Sequence, residues 1–360
     1  MARLSLFSLP RLLGAFAFRR PLRGLAAVTR CTPVATTARD LLQDKFAADL
    51  AGGDDLDRLV SDLLRQGRVA LLLRPQLTAS VHENHLQHAQ DVLDETMSLV
   101  PGGDVALHSR WHETGHQETI AGQTLVHVES VFLDRYAVSN RDFQNFVAAG
   151  GYGQMDLWEA AIWPAMVELV DQSRQPGPRY WRDGQHPEHL AEHPVVGISW
   201  YEASAYARWI GKRLPTDAEW VKAGVWPVGT GGMPQQRRYP WGDMFDRSLA
   251  NVWGSRSNAT TPVDEYPAGT SVGGIYQLTG NVWEWTSTHW GAWEPPAKKT
   301  ETIVPMRSLR GGAFDTYFDN QAACQFQSGD DPLARRHNVG FRCALSWGDV
   351  ASQAQQVFSH

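Results

Sequence analysis

The sequence predicts an α+β fold with low regular secondary structure, preceded by a short helical region. Three observations carry that expectation. Helix starts are legible at Ser139 with Asp142, Ser199 with Glu202 and Thr216 with Glu219. Each pair matches a capping box: a hydroxyl accepts one free backbone N–H, and the carboxylate three places on reaches back to another. All fifteen tryptophans lie after residue 110, in a region dense in turn-forming pairs such as Gly150-Gly151, Gly231-Gly232 and Gly311-Gly312. Short apolar runs at 125–133 and 340–345 read as strands between those turns. A chain of 360 residues that is 42% hydrophobic can bury a sizeable core, which excludes general disorder.

Taken in order, residues 1–39 form an Arg-rich segment with seven arginines and no acid. It resembles a transit peptide; the alternative is a disordered start. Arg11, Arg19 and Arg20 interrupt any apolar stretch of a secretory signal, so a cytoplasmic or organellar compartment is favoured over a secretory one. Residues 40–98 read as helical. Leu41, Leu42, Phe46 and Leu50 space as one amphipathic face ended by Gly52-Gly53, and Leu56, Leu59, Val60, Leu63 and Leu64 repeat it as far as Gly67. A third helix is expected over 81–100, with Leu86, Ala89, Val92, Leu93 and Met97 on one side.

The large domain then spans 99–347, with a tail at 348–360. Within it, the helix from Trp200 places Ala203, Tyr206, Ala207 and Ile210 on one face, and Gly211 ends it. Net charge of −6 argues against a nucleic-acid binder, and no apolar run is long enough for a membrane span. Cys31, Cys324 and Cys343 are too few and too scattered for a disulfide framework or a structural zinc site. The sequon at Asn258 matters only if the chain enters a secretory lumen. Oligomeric state has no signature in the sequence.

A series of blocks in the large domain carries a family resemblance. It runs from Pro101-Gly102-Gly103 through Phe132-Leu133-Asp134-Arg135-Tyr136, His193-Pro194-Val195-Val196 and Ser199-Trp200 to Arg213-Leu214-Pro215-Thr216. It continues with Tyr239-Pro240-Trp241-Gly242, Gly280-Asn281-Val282-Trp283-Glu284-Trp285, Arg310-Gly311-Gly312 and Gly340-Phe341-Arg342-Cys343. In this order the blocks resemble the formylglycine-generating-enzyme (sulfatase-modifying factor) domain family. The resemblance implies its C-type-lectin-like fold. It leaves three activities open: copper-dependent formylglycine generation, non-haem-iron sulfoxide synthesis of the ergothioneine type, or ligand binding without catalysis.

The residues discriminate among these. Formylglycine enzymes carry two copper-binding cysteines after the Arg-Gly-Gly strand, and the resemblance puts those positions on Thr316 and Gln321. Neither supplies a thiolate, the soft ligand that copper(I) requires, so copper is not expected. Ala313 occupies the family's serine position, and Cys343 lies on an apolar run expected in the core. For iron, His82, His85 and His88 would share one side of a helix, but without the family's His-x-x-x-His spacing. His108, His112 and His116 recur every four residues in a Gly-containing stretch that reads as loop.

The stretch after Arg310 reads as a polar pocket for a peptide or small charged ligand, built by Trp283, Ala313, Asp315, Thr316, Tyr317, Gln321, Arg335 and Arg336, with either arginine pairing a ligand carboxylate. The resemblance also implies structural calcium on Gln277, Glu284 and the carbonyls of Gly280 and Val282, oxygen donors that suit the ion. A second calcium would begin at Asn251 and Val252. The reading is therefore a ligand-binding member of the family, with a metal- and oxygen-dependent oxidoreductase of the iron type, or a divergent sulfatase-modifying oxidase, as the alternatives.

Overall fold

In the structure, a computed structural model that describes residues 29–30, 53–78, 81–108, 123–227, 235–255, 257–292 and 305–350, the apolar periodicity near the start becomes α1 (Gly53–Arg65). It is followed by α2 (Val69–Leu72), α3 (Pro75–Thr78) and α4 (Glu83–Thr96). The helix expected at 41–50, most of the Arg-rich segment, Cys31, His112, His116 and the last ten residues lie outside the described residues.

These helices are not a separate unit. Val60, Leu63, Leu71, Leu72, Leu73, Ala89 and Leu93 bury themselves in one cluster with Phe132, Leu345 and Val350. Arg68 donates to the Trp209 carbonyl at 2.7 Å, and Arg74 pairs with Asp349 at 3.1 Å. Burial lowers the Arg68 guanidinium to about 10. The third helix is shorter than its sequence suggests. α4 stops at Thr96, and Met97–Val100 forms the strand β2. Tertiary pairing wins over helical periodicity here, because all four residues register against Val131–Asp134 (β5). The boundary expected between residues 98 and 99 thus falls inside a strand.

β5 is the centre of a three-stranded antiparallel sheet, with β2 on one edge and Ala344–Ser346 (β10) on the other. The single strand expected at 125–133 is two: Gln123–Val128 (β4) pairs with Gly103–His108 (β3) and with Thr29–Arg30 (β1), and the chain turns before β5. A four-stranded sheet holds Ser328–Asp330 (β8), Arg307–Arg310 (β7), Trp283–His289 (β6) and Val339–Gly340 (β9), in that order. The run at 340–345 is correspondingly split between β9 and β10.

All three capping boxes form. They start α5 (Asn140–Ala148), α6 (Trp200–Trp209) and α7 (Asp217–Val225). α5 and α6 meet through aromatic contacts: Phe143 stacks on Tyr206 at 5.2 Å, and Phe146 packs edge-on against Trp209 at 5.7 Å. Long irregular segments separate these elements. Buried ion pairs tie them to the core: Arg310 with Asp217, Arg342 with Glu284 and Arg335 with Glu202. Among the described residues no helix is long and apolar enough to cross a membrane.

Candidate functional site

β7 ends at Arg310, whose guanidinium is anchored inward on Asp217 at 2.6 Å. The chain then leaves the sheet through Gly311, where a Cβ would meet the Leu278 carbonyl at 3.1 Å and φ is +97°. That pairing of crowding and left-handed backbone admits only glycine without strain. Ala313 is buried, and its N–H donates to the Thr316 hydroxyl at 2.8 Å. The first expected cysteine position therefore holds a buried threonine closing a tight turn. Gln321, the second, lies in a short 3-10 turn (Asp319–Ala322).

Between them the chain turns its large side chains outward. Tyr317 is 62% exposed and Phe318 59% exposed, with their rings 5.1 Å apart and edge to face. Trp253 joins them from a distant loop. Its N–H donates to the Thr316 carbonyl, and its half-exposed ring lies 6.4 Å from Tyr317. Asp315 accepts from Asn338 Nδ2 through both oxygens at 3.0 Å, and His337 Nε2 stands 3.6 Å away. The His337 ring rests on Phe314 at 5.7 Å. The result is an aromatic shelf beside a carboxylate–imidazole pair. Such a surface can stack a planar or apolar group and hydrogen-bond a polar one.

Several expected pocket residues do other work. Arg335 is buried; it pairs with Glu202 at 2.9 Å and donates to the carbonyls of Gly197 and Val170, so it has no charge to offer a ligand. Arg336 pairs with Asp330 at 2.7 Å on the surface. That hydrogen-bonded pairing raises its pKa. Trp283 is half-buried against Phe326 at 6.0 Å. Sequence reasoning missed Trp253, because more than sixty residues separate it from Tyr317 and only the folded backbone joins them.

The expected metal positions are also engaged. Arg342 clamps Glu284 through both oxygens at 2.6 and 2.7 Å, and Trp220 Nε1 donates to the same carboxylate. The Gln277 side-chain oxygen accepts from Asn281, and the Gly280 carbonyl accepts the Val282 N–H. A guanidinium already neutralises the one carboxylate of this donor set, so the set as it stands does not fit a divalent cation. At the second position, Ser255 donates to Asn251 Oδ1 at 2.9 Å and to the Val252 carbonyl at 2.6 Å.

His82 uses Nδ1 to cap α4 by accepting the Asn84 N–H, its ring centre lies 6.3 Å from that of His85, and His88 is exposed. His108 bonds to Gln123 at the end of β3. Among the described residues no group of three or more His, Cys, Asp or Glu is gathered to hold a metal. Cys324 and Cys343 are fully buried. Burial pushes the Cys324 thiol up to about 12, and burial beside Asp134 raises Cys343 well above the ordinary thiol range. Neither is a ready thiolate at neutral pH.

The domain that carries this site has known relatives. The profile of the Sulfatase-modifying factor enzyme 1-like domain matches residues 83–347, and the chain belongs to that family. It is 37% identical to a hercynine oxygenase of Mycobacterium tuberculosis over 62% of this chain and 54% of that protein. It is 32% identical to a formylglycine-generating enzyme of Thermomonospora curvata over 69% of this chain and 92% of that protein. The chain spans about half the length of the hercynine oxygenases it matches. Among solved structures, PvdO from Pseudomonas aeruginosa aligns over 69% of this chain and 94% of its own at 21% identity, with a TM-score of 0.48.

Proposed function

We propose that this family member binds a peptide or a small polar ligand on the shelf formed by Trp253, Tyr317 and Phe318, with Asp315 and His337 orienting it. The observation that carries the reading is the exposure of three large aromatic rings side by side, on a domain whose other aromatic residues mostly pack its core. Exposed aromatic clusters rimmed by polar groups are a common mark of interaction sites. Thr316 and Gln321 give this site no thiolate pair, which separates it from copper-dependent formylglycine generation.

The test is a binding screen against a cysteine-, serine- and aromatic-containing peptide array, followed by titration calorimetry of the best peptide. Trp253→Ala and Tyr317→Ala should each weaken it about tenfold and leave the melting temperature unchanged. Binding by both variants as tight as by the parent chain would sink the reading.

A second reading has its own support. The identity to proteins named hercynine oxygenase favours an oxygen-using oxidoreductase of the iron type. Elemental mass spectrometry decides between the two. Near-stoichiometric iron together with substrate-dependent oxygen uptake establishes the second reading and displaces the first.

A further inference from the structure

The exposed surface of the aromatic shelf does not end at Phe318. Asp319 follows it in the chain, and its carboxylate stands 3.9 Å from Nη2 of Arg247. The same guanidinium lies against Gly254, the residue after Trp253, where a Cβ would stand 3.3 Å from Nη1. Arg247 and Asp319 thus meet at the edge of the shelf, each beside one of its two chain segments. Both side chains are about half-exposed. Arg247 opens a short 3-10 turn (Arg247–Leu249) fixed by Asp246, which accepts from the Ser248 N–H at 2.9 Å and from its hydroxyl at 2.6 Å. Beyond the pair lies a second apolar area. The Asp319 carbonyl accepts from the Tyr239 hydroxyl at 3.1 Å, and the Tyr239 ring packs against Trp241 at 5.5 Å and Phe245 at 5.4 Å. Trp241 and Phe245 are half-buried, and Met244, whose carbonyl accepts from Trp241 Nε1, is 81% exposed.

At 3.9 Å the two charged groups attract each other but do not hydrogen-bond. Among the described residues neither side chain makes a hydrogen bond of its own. An exposed pair of this kind is worth about 0–1 kcal/mol, so a ligand opens it at little cost. It offers a fan of N–H donors next to a bare acceptor. An extended peptide residue presents the complement, because its C=O and N–H point to the same edge, as they do in antiparallel pairing. The two neighbours of that residue turn their side chains to one face. The pair carries no net charge, and neither does a peptide group, so docking buries no charge without a partner.

We propose that the shelf is one half of a longer docking surface whose partner is an extended peptide segment. Arg247 and Asp319 grip its backbone, one apolar side chain lies on Trp253, Tyr317 and Phe318, and a second lies on Met244 and Phe245. The inference rests on the peptide-binding reading of the shelf and adds the shape of the partner and the residues that recognise it. Main-chain bonds supply affinity whatever the sequence, and the two apolar areas select large side chains on either side of the gripped residue.

The experiment titrates the full chain by calorimetry with the capped peptide acetyl-Gly-Phe-Ala-Leu-Gly-amide. Two analogues accompany it: one carries N-methylalanine at the centre and so lacks the gripped N–H, and the other has glycine in place of leucine. Saturable binding of the first peptide is expected, with each analogue about tenfold weaker. Arg247→Met should weaken the first peptide about tenfold. Met244→Glu should erase the advantage of the leucine peptide over its glycine analogue. Circular dichroism melts establish that each variant is folded. If a variant does not fold, the two analogues on the unaltered chain decide. No saturable binding at millimolar peptide, equal binding of all three peptides, or unchanged binding by folded Arg247→Met and Met244→Glu overturns the inference and leaves the shelf to its own peptide array. Trp253→Ala in the same titration separates the two readings. Binding that depends on Met244 but not on Trp253 overturns both together.

Discussion

Arg342 shows how much one side chain organises here. It is fully buried and bonds both oxygens of Glu284 as well as the carbonyls of Asp134, Arg135 and Tyr276. It thereby joins the end of β5, the loop before β6 and the chain between β9 and β10. Removing one partner of a buried pair leaves an uncompensated charge, so Arg342→Met should destabilise the fold by about 3–5 kcal/mol in a denaturant titration. The same pairing makes a prediction about calcium. Dialysis against a chelator should leave the melting temperature unchanged, because Arg342 already supplies the positive charge that Glu284 needs. A chelator-induced fall of several degrees would show that an ion shares the site after all. The sequence presented Glu284 as an oxygen donor at a family position. Arg342, nearly sixty residues on, is what changes its meaning, and no local pattern announces that contact.

Among the elements, the three capping boxes were legible because their chemistry is local: a hydroxyl, a carboxylate and a spacing of three. Each is realised, with Ser199 accepting the Glu202 N–H and Glu202 returning to the Ser199 N–H at 2.7 Å. The α6 box is the most deeply buried of the three, since Ser199 and Glu202 are both fully enclosed. Ser139→Ala and Thr216→Ala should each cost about 1 kcal/mol in chemical denaturation. Ser199→Ala should cost more, because it also frees a polar group away from water. Equal losses at all three would show that burial adds nothing to a cap. Strand boundaries were far less legible. The helical periodicity of 81–100 continues past Thr96 on paper, but Met97, Ser98, Leu99 and Val100 find partners in β5 that the sequence does not reveal. Side-chain direction was no more legible: Tyr317 is exposed and Asp315 bonds Asn338, whereas Arg335, in the loop before β9, is drawn inward by Glu202 on α6.

For the molecule as a whole, buried charges set the response to pH. Burial alone would raise the Asp217 carboxyl, but the charge of Arg310 and hydrogen bonds from Arg310, Thr286 and Ser308 hold it below its ordinary value. Burial opposes ionisation of Glu219 likewise, and Arg213 with the Thr216 cap outweighs it. Both groups bind protons more weakly folded than unfolded. Their stabilisation is therefore complete above the ordinary carboxylate range and is lost as pH falls below about 4. Lys222 acts at the other end. Burial lowers it to about 8, against weaker opposition from Asp104 and Glu129. The unfolded chain binds the extra proton between that value and the ordinary lysine range, so stability from this group rises with pH from about 8 to about 10. Melting temperatures recorded over that interval should rise less steeply in Lys222→Met than in the parent. Parallel slopes would exclude Lys222 as the source.

The place of β2 has a consequence for how the chain can be divided. β5 is paired on both sides, and all four of its residues are buried. A fragment that begins at the Pro-Gly-Gly turn would keep β5 and β10 and lose β2. It would then present a bare row of apolar strand backbone to solvent, a template on which a second molecule can add. The helices before residue 97 therefore carry in a strand that keeps the domain from pairing with itself. A shortened chain should be recovered as soluble oligomers or aggregate, even though every residue of the aromatic shelf is still present.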